Sequence, residues 1–220
     1  MAGLVRADVT SRRAAVLVAS DADLPLAAAR CAWGACADAA RGGSAVRRIY
    51  VEKEAREEFR KLLRQNVQEL KLGAAGDAGV DVGPLSDEAA AAAVEERLKE
   101  AVARGARLWA GGPRRGALLP PALVENAPAD ARLCAEDFDG PVALLESVEP
   151  RGAALEKLAA AARGGARAVL FTNDLSLILR AFERLNVAAL IVNDVSAADR
   201  DGARPALQAR AQDRTLAVRP

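Results

Sequence analysis

The chain has 220 residues, with 31 basic against 30 acidic side chains and a formal net charge of +1. That length is ample for a real core, but with 51% hydrophobic and only 3% aromatic residues the core is mostly Ala, Leu and Val. The near-zero charge excludes a global basic field for nucleic acid, and the lack of an 18-residue apolar run argues against a membrane span.

Histidine is absent. That excludes a Ser-His-Asp or Cys-His pair within the chain and any His-ligated metal site, and no metal site is expected. A proton carrier here would have to be Glu, Asp, Lys, Tyr or Cys. Three cysteines without framework spacing suit a reducing compartment. The N-terminus lacks a long apolar h-region, so no signal peptide is expected. A cytoplasmic location follows as the expectation.

Residues 1–12 carry no periodic pattern and are expected to form an irregular N-terminal segment. Residues 14–19 are a short apolar run that reads as a buried strand. Ser20-Asp-Ala-Asp23 with Pro25 just beyond is helix-start chemistry, and the helix is expected to reach Arg41. Ala27, Cys31, Gly34 and Ala35 mark its close-packing side, and Gly42-Gly43 ends it. Residues 46–51 are the next strand. From 54 to 72, Phe59, Leu62, Leu63, Val67 and Leu70 fall on one helical stripe. A Gly- and Asp-rich loop follows, and Ser86 is expected to cap a helix to Arg104 with Val94, Leu98 and Val102 inward.

Residues 107–110 read as a short strand. Residues 117–124 contain Pro120-Pro121, which suggests an edge position. Residues 142–148 are a strand, 152–163 a helix and 166–171 a strand. Asp174 caps a helix to Leu185, and residues 187–192 are a fully apolar strand. The alternation predicts an α/β fold with a mostly parallel sheet flanked by helices. It occupies residues 13–195 as one domain, followed by a polar tail, 196–220, whose only strand candidate is 215–218.

Several motifs then recur in a recognisable order. Asp21-Ala-Asp-Leu24 precedes Arg48-Ile-Tyr-Val51. Asp81-Val-Gly-Pro-Leu85 and Gly105-Ala-Arg-Leu-Trp-Ala-Gly-Gly112 follow. Glu136-Asp-Phe-Asp-Gly-Pro-Val142, Val169-Leu-Phe-Thr-Asn-Asp-Leu175 and Ile191-Val-Asn-Asp194 complete the series. Together they resemble the catalytic domain of the aldehyde dehydrogenase family over roughly residues 10–195. The resemblance implies a cysteine nucleophile, a glutamate general base and a nicotinamide cofactor.

The departures matter more. Counting from the Arg-Ile-Tyr-Val strand, the nucleophile's place falls on Gly43, which has no side chain to attack with. The general base's place falls on Val9, and Asp8 is one residue off. The carboxylate that meets the nicotinamide ribose is vestigial at best, falling on Asp137, with Asp139 where an aromatic ring is usual and Phe138 shifted by one. The family's Pro-(Phe/Tyr)-Gly-Gly anchor loop after the Asn-Asp strand is missing. No glycine-rich turn stands in phosphate-cradling context between a strand and a helix, so the chain has no nicotinamide place of its own and no cofactor is expected.

Cys31, Cys36 and Cys134 read most simply as small buried hydrophobes, Ser44 as a loop hydroxyl, and Trp33 and Trp109 as core or interface anchors. Arg12-Arg13 and Arg114-Arg115 read as solvated faces. The first reading is therefore a catalytically inactive aldehyde dehydrogenase-like domain, a structural or regulatory protein-protein interaction module. It would be a homo-oligomer or a partner of an active aldehyde dehydrogenase-type subunit, with no nucleic-acid or membrane partner. The tail strand 215–218 resembles the closing strand that such oligomers use for edge pairing. The alternative is part of an NAD- or NADP-dependent aldehyde oxidoreductase, with cofactor domain and nucleophile supplied by another chain or a longer gene product.

Overall fold

Apolar runs too short for helices become strands where both faces can be covered. The computed structural model describes residues 14–40, 45–74, 77–149, 151–162, 167–187, 189–195 and 215–218. Its centre is β1 (Ala14–Val18), buried at every residue. The strands are β2 (Val46–Glu52), β3 (Arg107–Ala110), β4 (Ala122–Glu125), β5 (Val142–Val148), β6 (Arg167–Phe171), β7 (Ala189–Val192) and β8 (Thr215–Val218). They form one eight-stranded sheet in the order β3-β4-β5-β2-β1-β6-β7-β8. All neighbours are parallel except β3, which runs antiparallel to β4. The expected α/β fold with a mostly parallel sheet is what the chain adopts.

The helices are α1 (Leu24–Cys36), α2 (Arg56–Glu69), α3 (Glu88–Ala103), α4 (Arg132–Ala135), α5 (Arg151–Ala161) and α6 (Leu175–Arg184). Strand side chains alternate between faces, and the core divides accordingly. On one face, α1 and α2 cover Val16, Ile49, Leu145, Val169 and Ile191. On the other, α5 and α6 cover Ala15, Leu17, Tyr50, Leu170 and Leu190. α3 and α4 cover Val124, Val142 and Leu144, also on this second face.

Each crossover therefore has a readable side. The step from β1 to β2, toward the β3 edge, passes over the first face through α1. Steps toward the β8 edge, from β4 to β5, β5 to β6 and β6 to β7, pass over the second face through α4, α5 and α6. All four share one hand, as about 98% of parallel crossovers do.

Local chemistry sets the helix starts. Asp23 accepts from the Leu26 amide at 3.0 Å, with proline in the first turn. Asp174 accepts from the Ser176 and Leu177 amides. α3 is capped by Asp87, which accepts from the Ala90 amide at 2.7 Å, rather than by Ser86. Both side chains suit a cap, and the helix begins one residue later than the spacing suggested. Val102 faces outward at 42% exposure. The Pro120-Pro121 pair does not make an edge strand. It lies just before β4, so it removes no donor from the ladder, and β4 pairs on both sides.

The β3-β4 corner is held by a buried carboxylate. Glu125 is fully buried and accepts from Arg56 Nε and Trp109 Nε1, each at 2.9 Å. Arg60 lies 3.8 Å from the same carboxylate and stacks on the Trp109 ring, 4.2 Å from its centre. α2 is thereby tied to two strands at once. Removing one member of a buried ionic network leaves the others without compensation. Glu125→Ala is expected to cost on the order of 3 kcal/mol in urea unfolding. Glu149→Ala, at the exposed Lys53–Glu149 pair, should stay within about 0.5 kcal/mol.

Candidate functional site

The site implied by the resemblance lies where α1 ends, β2 begins and residues 136–142 lead into β5. α1 approaches the sheet closely. A Cβ on Gly34 would meet Val46 Cγ2 at 3.0 Å and Val195 Cγ2 at 3.1 Å. Beyond α1 the chain passes through Ala39 and Ala40 at φ 53° and 54°. This left-handed conformation costs an L-residue with a Cβ about 1–2 kcal/mol. Gly43, Ser44, Val9, Asp8 and the Arg12-Arg13 pair lie outside the described residues.

The cysteine nearest that loop is Cys36, fully buried on α1. Burial pushes its thiol up to about 12, against a smaller opposing pull from Arg47. Cys31 is also fully buried and is raised by burial alone. Neither offers a thiolate near neutral pH, and nucleophilic attack needs the thiolate. Cys134 on α4 is half-buried, and burial raises it too. The reading of Cys31 and Cys36 as buried hydrophobes agrees with this packing.

Asp137 and Asp139 are exposed, and Asp137 Oδ1 accepts from the Phe138 amide at 3.1 Å. The Phe138 ring is turned between two guanidinium groups. Arg47 stacks at 3.8 Å from the ring centre and Arg97 lies at 5.5 Å. Arg47, 7% exposed, also donates to the Phe138 carbonyl at 2.8 Å and the Val142 carbonyl at 3.2 Å. Arg97 donates twice to Glu136 Oε2, at 3.0 and 2.7 Å. Arg132 and, second, Arg97 hold the Glu136 carboxyl below its usual range. The loop is thus clamped by the protein's own side chains.

The residues at this loop do not match the ribose contact implied by the resemblance. The carboxylate is one methylene shorter, and an aspartate stands where the ring is expected. Among the described residues no group of three or more His, Cys, Asp or Glu side chains could hold a metal ion. No helix among them is long and apolar enough to cross a membrane.

Sequence reasoning missed Arg47, whose signal was the Arg47-Arg48 pair inside a strand with an apolar centre, Ile49-Tyr-Val51. Alternation sends the two guanidinium groups to opposite faces. Arg48 Nη2 accordingly reaches the Cys134 carbonyl at 2.6 Å. Trp109 is anchored on Glu125, whereas Trp33 is 39% exposed. Arg114 is not simply solvated, for its Nη1 donates to the Gly116 carbonyl at 3.1 Å.

Residues 11–205 match the family model described as the aldehyde dehydrogenase family. The chain belongs to the aldehyde dehydrogenase family. It is 33% identical over 183 residues to a 3-sulfolactaldehyde dehydrogenase of Priestia megaterium, covering 83% of this chain and 38% of that protein. It is 31% identical over 180 residues to the succinate-semialdehyde dehydrogenase [NADP(+)] GabD of Escherichia coli, covering 80% and 37%. Among solved structures, a glyceraldehyde-3-phosphate dehydrogenase of Methanocaldococcus jannaschii complexed with NADP superposes with TM-score 0.76 at 27% identity, covering 84% of this chain and 40% of that one. The chain thus spans under half the length of the relatives it matches.

Two outcomes test the thiol assignments. Iodoacetamide on the native protein should label Cys134 alone, and all three cysteines after denaturation, read by peptide mass spectrometry. A thiol whose pKa is raised on folding favours the folded state only while protonated. The Cys36 contribution is therefore present below the ordinary thiol value of 9.0 and lost as pH rises toward about 12. Stability should fall across that window, and less steeply in Cys36→Ala.

Proposed function

We propose that this chain is a catalytically inactive aldehyde dehydrogenase-family domain that serves as a structural or regulatory interaction module, assembling through its terminal strand. The observation that carries the reading is the path of the chain after β7. Asn193 turns at φ 58°. Asp194 pairs with Arg30 of α1 at 3.5 Å. Val195 packs among the residues under α1, on the first face. β8 lies one step further toward its edge and parallel to β7. A connection continuing over the first face would have the opposite hand from the four other crossovers, an arrangement seen in about 2% of cases. A strand of the same sequence from a second copy can take that place with the same register, and its connection need cross neither face. This supports a homo-oligomer, or a complex with an active aldehyde dehydrogenase-type subunit that offers an equivalent strand.

Support for inactivity comes from glycine at the nucleophile's place, valine at the general base's place and the buried, protonated Cys36. The purified chain with NAD or NADP and an aldehyde panel is expected to give no turnover. Turnover abolished by Cys36→Ala would overturn the inactive reading.

The assembly has its own test. Ala189 and Thr215 are register partners across β7 and β8, and adjacent strands lie within disulfide reach. One chain carrying Ala189→Cys and another carrying Thr215→Cys, both with Cys134→Ser, are mixed, refolded and oxidised. A covalent heterodimer is expected. Only monomers here, with an internal bond in the double variant and a monomeric native mass, would show that β8 stays within its own chain.

One observation favours the second reading. The chain spans about 38% of the relatives' length, so the alternative is part of an NAD- or NADP-dependent aldehyde oxidoreductase whose cofactor domain and nucleophile come from another chain or a longer gene product. Catalysis that appears only when the product of a neighbouring reading frame is added would favour it.

A further inference from the structure

On the second face, between the β2-β5 surface and the turn leading to α4, lies a cavity of about 250 Å³. Its lining includes Arg48, Tyr50, Asn126, Cys134, Leu144 and Glu146. Arg48 and Tyr50 stand two residues apart on β2, beside Leu144 and Glu146 on β5. They therefore project from one face, opposite α1 and its loop.

Arg48 spends one donor on the Cys134 carbonyl. A guanidinium has five N–H donors in a planar fork. Tyr50 is 5% exposed, and its phenolic O–H is a donor on the same wall. Asn126 adds an amide. Glu146 is already paired with Lys157 of α5. Arg48, Lys157 and Glu146 together leave one net positive charge.

We propose that this cavity binds a small monocarboxylate, with the Arg48 guanidinium as its anchor. A planar fork matches a carboxylate in two-point geometry, and Tyr50 and Asn126 offer donors to a neighbouring oxygen. The volume equals about eight water molecules at roughly 30 Å³ each. That suits a small acid of a few heavy atoms. The Glu146 carboxylate on the wall repels a phosphate dianion more strongly than a monoanion, because the penalty scales with charge. The leucine wall suits a short aliphatic body.

Cys134 on the same wall supplies the readout. The probes are acetate and pyruvate, with chloride and inorganic phosphate as controls at matched ionic strength. The measurement is the rate of Cys134 alkylation by iodoacetamide. If the bound form does not react, the rate falls by the factor 1 + [L]/Kd, about tenfold at ten times the dissociation constant. Saturable protection by the carboxylates, absent with chloride and phosphate, is the expected result. Arg48→Gln should abolish it, with Cys31 and Cys36 still shielded as evidence of folding. Arg48→Lys keeps the charge but loses the fork, and should weaken it. An unchanged rate with carboxylate, equal protection by phosphate, or protection surviving in Arg48→Gln would overturn the proposal. Should Arg48→Gln fail to fold, the wild-type titration and the lysine variant decide it.

Discussion

The close approach of α1 to the sheet governs much of what surrounds it. Beyond Leu24 in the first turn, its buried face is Ala27, Ala28, Cys31, Ala32, Ala35 and Cys36, so along that length the helix axis lies nearer the strands than leucines would allow. At Gly34 even a methyl group would crowd Val46 and Val195. Three segments meet there: the end of α1, the start of β2 and the chain leaving β7. The same contact that sets the start of β2 against α1 also meets Val195, on the chain leaving β7. A larger residue at position 34 would disturb both ends of the domain together.

Much of this architecture was legible in the sequence, for local reasons. The strands beneath two helical layers are short, mostly apolar runs. Gly, Pro and Asp punctuate them where the chain turns, and aspartates cap α1 and α6 as their spacing implies. What failed was less local. Pro120-Pro121 suggested an edge, but a proline just ahead of a strand removes no ladder donor, and only the topology tells those cases apart. The antiparallel β3 has no signature of its own, because direction depends on connections rather than on residue type. The candidate site was legible as an ordered set of motifs and as a set of departures from them. Arg47 was not, since a buried arginine depends on carbonyls and a ring nearly a hundred residues away.

The loop over residues 136–142 is held in shape by its own side chains. Gly-Pro-Val still delivers the chain into β5. Around it, Arg47, Phe138, Arg97, Glu136 and Arg132 form a chain of stacked and ion-paired groups. These interactions tie the loop to β2, α3 and α4. Glu125 does similar work at the β3-β4 corner, where a carboxylate deep in the fold binds two arginines and an indole. In both places an ionic group acts as structure, and its value lies in having every partner present.

The edge of the sheet imposes a different demand. β7 is buried at all four residues, with the apolar composition of a strand covered on both faces. Left as an edge it would present a row of unpaired backbone donors and acceptors beside apolar side chains, a ready template for pairing. Such a strand needs a neighbour, and β8 meets that need with four register pairs. The hydrogen bonds are indifferent to which chain supplies the strand. The connection is not, because it has a hand, and its first described residues lie on the face that gives the rarer one. Stability asks only that the place beside β7 be filled.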